Sequence, residues 1–341
     1  MKQPLLKIWF AFFLIFFTNR SNSQDIHFTQ FYASPLTLNP ALTGYSEGDY
    51  RAAAIYRNQW QSVTTPFQTY GASFDSKILR YKLKNDILGG GIVFNADKAG
   101  TGKLFFIQAL ASISYHKSID KAGKHYVALG FQAGFVQKSI QYNLLSFPEQ
   151  FDGVDFDRTL ANGESFSSNS VKYADINMGV LWHSNFSERI GAFAGFSYHH
   201  INRPKETFLG QTNKLPSRYT GHAGMSIGVV KNFYIKPNFI YMYQTKAQEI
   251  NLGTAFEYHI PMKKDNKLVT SVGAWYRLND ATSVSASLEY MRFRAGFAYD
   301  VNVSNLKPAS NLRGAFEIYV MYTGFYKGSA PKPIRVVCPM M

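Results

Sequence analysis

Apolar and polar positions alternate along much of this chain with a period of two residues. The run at 124–138, KHYVALGFQAGFVQK, shows it most clearly, with Val127, Leu129, Phe131 and Phe135 at one parity and mainly small or polar residues at the other. Successive side chains of a β-strand point to opposite faces, so this run predicts a strand with one apolar face. A helix would scatter these residues and enclose two glycines, each costing about 1 kcal/mol relative to alanine.

Similar runs recur through the chain and predict about fourteen strands, each near the ~9–11 residues that a tilted membrane-spanning strand needs. They lie near 50–60, 67–79, 86–95, 103–117, 124–138, 172–184, 188–200, 218–230, 233–245, 248–260, 267–277, 281–291, 293–303 and 311–323. We therefore expect an all-β fold, a transmembrane outer-membrane β-barrel of antiparallel strands over residues 50–325. An even number of strands puts both ends of the barrel sequence on one side of the membrane.

The connections between these runs support the same model. If the first strand runs outward, the two longest connections, 139–171 and 201–217, both fall on the extracellular side, and the periplasmic turns are short. Long extracellular loops and short periplasmic turns are typical of outer-membrane barrels.

The first 23 residues have the pattern of a secretory signal peptide. Lys2 and Lys7 precede an apolar run at 8–17, and the small residues Ser21 and Ser23 stand before a cleavage site ahead of Gln24. The apolar run is about ten residues long, whereas a membrane-spanning helix needs ~20. We expect cleavage before Gln24 and an outer-membrane location for the mature chain.

The composition and net charge of the chain indicate which partners to expect. The chain is 46% hydrophobic, 16% aromatic and 17% charged, with a mean hydropathy of −0.18, as expected when apolar and polar residues alternate. Loss of the leader lowers the net charge from +14 to +11. A secretory leader argues against nucleic acid as a partner, and lysines at the segment ends suit water or anionic lipid headgroups at a barrel rim. Tryptophans near strand ends, Trp275 among them, are expected at the membrane interface.

Charged residues on the polar faces of the later strands predict a network inside the lumen. Buried charges need partners, so neighbouring strands would pair them and fix the register. The lining of a transport or binding path remains the alternative. The residues concerned are Glu257, Arg277, Glu289, Arg294, Asp300, Arg313 and Glu317.

The sequence predicts no catalytic residue, no cofactor and no metal site. His199 and His200 are neighbours on a strand and point to opposite faces, which disfavours joint ligation of one metal. Asp152, Asp155 and Asp157 cluster in the longest loop, but their spacing does not follow the EF-hand pattern. An outer-membrane hydrolase stays an alternative, because serine and histidine are both present.

The segment 24–49 does not alternate and is expected to be a periplasmic lead-in to the barrel. Gln30, Asn39-Pro40 and Gly44, followed by Tyr56-Arg57 and Gln59-Trp60, resemble the opening of the PorP/SprF family of outer-membrane proteins. Further landmarks in the family's order are Asp97, Gly100, Pro204, Gly210, Tyr276, Arg277, Asp280, Tyr299, Asp300, Cys338 and Pro339.

The resemblance implies a non-enzymatic component of the type IX secretion and gliding-motility machinery. It implies contact with secretion-ring or translocon proteins, and help in the export or surface attachment of a large adhesin-type cargo with a C-terminal sorting domain. A diffusion porin stays an alternative, since it would show the same alternation.

The stretch after the last strand, 326–341, is expected to be a periplasmic tail. It is basic and contains three prolines, so either disorder or docking on a partner fits it. Cys338 is the one cysteine of the chain, which excludes an intrachain disulfide, and its position at the far end excludes a lipoprotein anchor. An unpaired thiol and a contact to another chain both remain open.

Overall fold

A computed structural model describes residues 25–63, 65–79, 82–83, 85–208, 210, 213–262, 267–304 and 307–327. The expected signal peptide at 1–23 lies outside the described residues, as do Cys338, Pro339 and the rest of the tail beyond 327.

The described residues form a closed barrel in which each strand pairs antiparallel with its neighbours in sequence and the last strand pairs with the first. This architecture confirms the predicted fold class. The strands are β1 (Tyr50–Gln59), β2 (Phe67–Ile78), β3 (Ile87–Ala99), β4 (Leu104–Ser118), β5 (His125–Ser139), β6 (Ser170–Asn185), β7 (Ile190–His199), β8 (Arg218–Val230), β9 (Phe233–Gln244), β10 (Ala247–Pro261), β11 (Lys267–Arg277), β12 (Ala281–Tyr290), β13 (Phe293–Asn302) and β14 (Arg313–Gly324). No helix among the described residues is both long enough and apolar enough to cross a membrane.

The barrel closes through a continuous ladder between β1 and β14, from Tyr50 opposite Gly324 to Gln59 opposite Ala315. The first residue of β1 and the last residue of β14 therefore lie at the same end of the barrel. The two long connections, 140–169 and 200–217, lie together at the opposite end. We call these the short-turn end and the long-loop end.

The two faces of each strand differ as their alternation predicts. On β5 the outward side chains Val127, Leu129, Phe131 and Phe135 are exposed, Phe135 by 77%, whereas Ala128 and its inward neighbours are buried. Apolar side chains thus cover the outer surface, where a barrel meets lipid. The lumen side carries polar and small residues.

The segment 25–49, which we call the plug, lies inside the barrel and runs from the long-loop end to the short-turn end. It contains three single-turn helices, at Phe31–Ala33, Pro35–Leu38 and Pro40–Leu42. All its residues from 28 to 49 are buried except Thr37 and Glu47, which are half-buried. The expectation of a periplasmic lead-in is therefore wrong for these residues. A lumen of fourteen strands is wider than its own side chains can fill, and the plug supplies the missing core.

Aromatic packing joins the plug to the wall. The Phe31 and Tyr32 rings lie 5.8 and 5.7 Å from the Trp275 ring, and Tyr319 packs on Tyr32. Trp275 points inward and donates its indole N–H to Ser285 at 3.1 Å, so its expected place at the membrane interface is wrong. Trp275 points inward because the plug fills the lumen here with aromatic side chains, and Trp275 packs against them.

Candidate functional site

The first candidate site is a buried cluster of four charged residues, Arg57, Arg277, Asp300 and Glu317, around Thr29 of the plug. Asp300 accepts hydrogen bonds from Arg57 at 3.1 Å and from Arg277 at 2.9 Å, and Arg57 also pairs with Glu317. The Thr29 hydroxyl donates to the Asp300 carboxylate and accepts from both guanidinium groups, at 2.8 and 3.1 Å. Three of these four were expected in the lumen network, and the structure brings them together.

Glu317 binds the plug backbone directly. Its two carboxylate oxygens accept the amide protons of Thr29 at 2.7 Å and Gln30 at 2.8 Å. A buried charge is costly unless it is paired and hydrogen-bonded, and here the plug supplies part of that compensation. Wall and plug therefore stabilise each other.

A second cluster lies nearer the short-turn end and joins four strands. Glu257 accepts from Lys236 at 2.8 Å and from His259 at 2.6 Å, and Arg294 pairs with Glu289 at 2.6 Å and with Glu257 at 3.5 Å. These contacts link β9, β10, β12 and β13, so the cluster sets their register.

Arg313 was expected in the lumen network, but it is exposed and lies outside both clusters. The register between β13 and β14 shifts at Asp300 and Val301, immediately beside Arg313. An irregularity of this kind re-aims the side chains next to it, which a strict count of alternating positions does not anticipate.

A third contact, which was not expected from the sequence, joins Arg51 and Asp75, two fully buried side chains at the short-turn end. The Arg51 guanidinium donates to both Asp75 oxygens at 2.9 Å and also to the Leu42 carbonyl oxygen at 3.1 Å. Asp75 accepts the Gly44 amide proton at 2.7 Å. Arg51 alternates with apolar neighbours near the start of β1, and that inward parity was the signal available in the sequence.

The Asn39-Pro40-Ala41 motif forms the narrowest contact between plug and wall. The Asn39 amide donates to the Val180 carbonyl oxygen at 3.0 Å, and its side-chain oxygen accepts the Ala41 amide proton at 2.8 Å. A Cβ added at Gly179 would lie 1.9 Å from the Asn39 side-chain oxygen, and one at Gly130 would lie 2.3 Å from the Ala41 nitrogen. Two glycines of the wall thus make room for this turn.

Gly44 has a structural role. It adopts a positive φ of 71°, and a Cβ there would lie 2.7 Å from the Gly89 Cα. Only glycine suits both the left-handed backbone and this approach. The glycine run of β3 therefore makes room for the plug turn at 43–44.

The other family landmarks lie in the wall, the connections and the plug. Gln59 accepts from Arg57, Asp280 pairs with Arg277, and the Gln30 side chain accepts from Tyr32. Tyr56 packs on Tyr70 with ring centroids 4.9 Å apart. The residues in strands or at strand ends are Tyr56, Gln59, Trp60, Asp97, Tyr276 and Tyr299, and those in connections are Gly100, Pro204, Gly210 and Asp280.

At the long-loop end, His200 fixes the first described residues of the plug. Its ring nitrogens contact the carboxylates of Asp175 at 2.7 Å and Asp25 at 2.6 Å, so neither nitrogen is available to a metal. Burial opposes protonation of His200, but the charge of Asp25 and the hydrogen bonds to both carboxylates outweigh it and raise its pKa to about 9. His199 contacts Ser197 and lines the same lumen cavity as His200, so the expected placement of the two histidines on opposite faces is wrong. His200 follows the end of β7 with a positive φ of 58°, which turns its side chain to the lumen side as well.

The aspartates of the longest loop are engaged with their own backbone. Asp152 accepts the amide protons of Val154 and Asp155, both at 2.8 Å, and Asp157 accepts that of Thr159 at 2.8 Å. Within the described chain no group of three or more histidine, cysteine, aspartate or glutamate side chains is arranged to hold a metal ion.

Comparison with solved structures identifies the fold. The toluene transporter TbuX of Ralstonia pickettii aligns over 85% of this chain and 93% of its own, with 11% identity and a TM-score of 0.52. The toluene transporter TodX of Pseudomonas putida aligns over 85% and 92%, also with 11% identity and a TM-score of 0.52. At this identity the likeness shows only that the fold is an outer-membrane barrel. No curated protein matches the sequence.

Comparison with family models identifies the relationship. The model described as type IX secretion system membrane protein PorP/SprF matches residues 20–322, which confirms the resemblance drawn from the ordered landmarks. With the closed barrel, it points to the outer membrane as the location. The chain belongs to the PorP/SprF family of type IX secretion system membrane proteins.

Proposed function

We propose that this protein is a non-enzymatic docking component of the type IX secretion system in the outer membrane. It assists the export or surface attachment of a large adhesin-type cargo that carries a C-terminal sorting domain, and it contacts secretion-ring or translocon proteins. Its family membership over residues 20–322 supports the link to secretion. Gliding motility, which the family resemblance also implies, belongs to the same proposal.

The filled lumen is the observation that carries the docking mechanism. The plug runs the length of the barrel, and two cavities between plug and wall measure about 30 and 20 Å³. Each has room for about one water molecule. A barrel filled in this way suits a role in binding proteins better than the diffusion of solutes, although two solved barrels of similar fold, TbuX and TodX, are toluene transporters.

The longest loop offers an exposed contact surface for the cargo. Phe151 and Phe156 pair across a β-bridge with their rings 5.2 Å apart, and Val154 between them is 91% exposed. We call 151–156 the loop tip. Apolar side chains exposed in a loop away from the lipid-facing strands are typical of a protein-binding site.

The other long loop is tied to the barrel rim. Lys138 pairs with Glu206 at 2.6 Å, Tyr173 donates to the same carboxylate at 2.9 Å, and Leu215 is buried. This loop would hold the rim in shape for the cargo. Because the plug is buried in the lumen, contact with periplasmic partners is left to the tail at 326–341 and the short turns.

Co-purification tests the proposal. Tagged protein would be isolated from gently solubilised outer membranes and its companions identified by mass spectrometry. We expect secretion-ring or translocon proteins together with a large surface protein. Val154→Ser with Phe156→Ser should lose the surface protein and keep the ring proteins. Val63→Ser is the control, because Val63 is an exposed apolar residue of another connection at the long-loop end.

Purification of the barrel with no co-purifying protein would contradict the docking role. Conductance in a planar bilayer would then test the porin alternative, for which steady open channels are the expected sign. Deletion of the loop 201–217 provides a second test. If barrel assembly and cargo display are both unchanged, this loop takes no part in cargo binding.

A further inference from the structure

A cavity of about 510 Å³ opens at the long-loop end, directly above the start of the plug. It is lined by residues of the strand ends and of the 200–217 loop, with both charged and apolar side chains. We call it the vestibule. Its lining includes Asp25, Asp97, Phe106, Lys138, Glu206 and Leu215.

The first described residues of the plug are fixed to the wall on several sides. The Asp25 amide donates to Gln244 at 3.1 Å, the Ile26 carbonyl oxygen accepts from Arg218 at 3.2 Å, and His27 lies 3.3 Å from Glu249. The direction of the chain at Asp25 is therefore set by the barrel. Asp25, the residue that follows Gln24 in the sequence, is itself part of the vestibule lining.

The vestibule carries one acidic group without a described cationic partner. Lys138 is paired with Glu206, and Asp25 with His200. Asp97 accepts the Thr69 hydroxyl at 2.5 Å, and Lys138 acts on it electrostatically from beyond ion-pair distance. Among the side chains that the structure describes, no ion pair reaches Asp97 directly. A half-buried carboxylate of this kind favours a nearby positive charge.

We propose that the vestibule is the docking site of this chain's own mature amino terminus, with Asp97 as the counter-ion of the α-ammonium group of Gln24. The inference rests on cleavage of the leader before Gln24, which creates that charge one residue before Asp25. It is independent of the secretion role.

The reactivity of the α-amine tests the proposal. Folded protein in detergent would be treated with a small amine-reactive ester near neutral pH, and the rate compared with that of urea-unfolded protein. We expect the folded amine to react roughly tenfold more slowly, because its charged form is paired and shielded. Asp97→Asn should restore several-fold of the rate. Asp86→Asn, at the short-turn end, is the matched control and should change nothing.

Three outcomes would overturn the proposal: equal rates in the folded and unfolded protein, no effect of Asp97→Asn, or a purified chain whose first residue is cyclised or is not Gln24. Intact mass and amino-terminal sequencing identify the last outcome.

A second measurement leaves Asp97 in place. In a Cys338→Ser background, the cysteine of Gln24→Cys should react with a small maleimide. It should not react with a maleimide attached to a large polymer, which is too large to enter the vestibule. Val154→Cys at the exposed loop tip should accept both reagents. Equal labelling of both cysteines by the polymer would mean that the terminus stands outside the vestibule, contrary to the proposal.

Discussion

At the scale of single residues, the lumen charges act on a piece of the same chain. Arg57, Asp300 and Glu317 contact Thr29, and Arg51 with Asp75 contacts the turn at 42–45. Each charge is compensated from both the wall and the plug. Removing one partner would leave the other buried and unpaired, which is the costly case.

Arg51→Ala should therefore destabilise the protein strongly. The free energy of unfolding should fall by about 3–5 kcal/mol, because the Asp75 carboxylate would stay buried without its cation. Urea unfolding of the folded barrel in detergent measures it. Lys117→Ala removes a mainly exposed partner of Asp86 and should have little effect. Equal effects of the two substitutions would show that the buried pair does not hold the plug.

His200 should make stability depend on pH on the alkaline side. Its pKa of about 9 in the folded protein lies above the ordinary value near 6.5, so its contribution is complete below about pH 6.5 and is lost as pH rises through about 9. The groups facing it are Asp25, Asp175 and, through Asp25, Arg218. The wild-type protein should lose more stability than His200→Gln between about pH 7 and about pH 10. If urea unfolding shows that both proteins lose the same free energy of unfolding across this pH range, His200 makes no such contribution.

At the scale of elements, the plug and the glycines of the wall fit each other. The turn Pro40–Leu42 lies against Gly130 and Gly179, where a side chain would collide with it. Two prolines keep the plug out of the sheet, since proline lacks an amide proton for strand pairing. Its short helices instead satisfy their backbone groups locally and through the wall.

Gly179→Ala should loosen the plug and leave the barrel strands closed. The added Cβ would overlap the Asn39 side chain, and overpacking of this kind costs about 1–3 kcal/mol. We expect faster proteolysis of the plug and measurable conductance in a planar bilayer. Gly221→Ala is the matched control, because no atom lies within 4 Å of the added Cβ there. If both variants behave like the wild-type protein, this contact does not keep the lumen closed.

At the scale of the whole molecule, the outward apolar faces form a continuous belt around the barrel. Val272 on β11 is 63% exposed and lies opposite the outward Phe256 of β10. Apolar groups exposed to this extent would be unfavourable in water, whereas lipid accommodates them. The belt is thus the surface by which the barrel contacts membrane lipid.

Val272→Arg should destabilise the inserted barrel by about 2–4 kcal/mol if this residue lies near the bilayer midplane. Val272→Leu keeps the apolar surface and should be nearly neutral. Urea unfolding in lipid vesicles measures both variants. If arginine is tolerated as well as leucine, Val272 does not face the hydrocarbon.

The sequence alone determined the strands, their faces and the family. The run at 124–138 corresponds to β5 (His125–Ser139), and the two longest connections lie at one end of the barrel. These features are local, because the alternation of side chains is a property of each strand by itself. The ordered landmarks carried the relationship to PorP/SprF, which the family match confirmed.

Only the tertiary structure decided what fills the barrel and which charges meet. The 25–49 segment has no alternation, and its place in the lumen depends on closure of fourteen strands around it. The same closure brings Arg57 of β1 beside Glu317 of β14 and turns Trp275 toward the plug. The physical reason is that contacts between residues distant in the chain depend on the summed register of all the strands, which no single segment encodes.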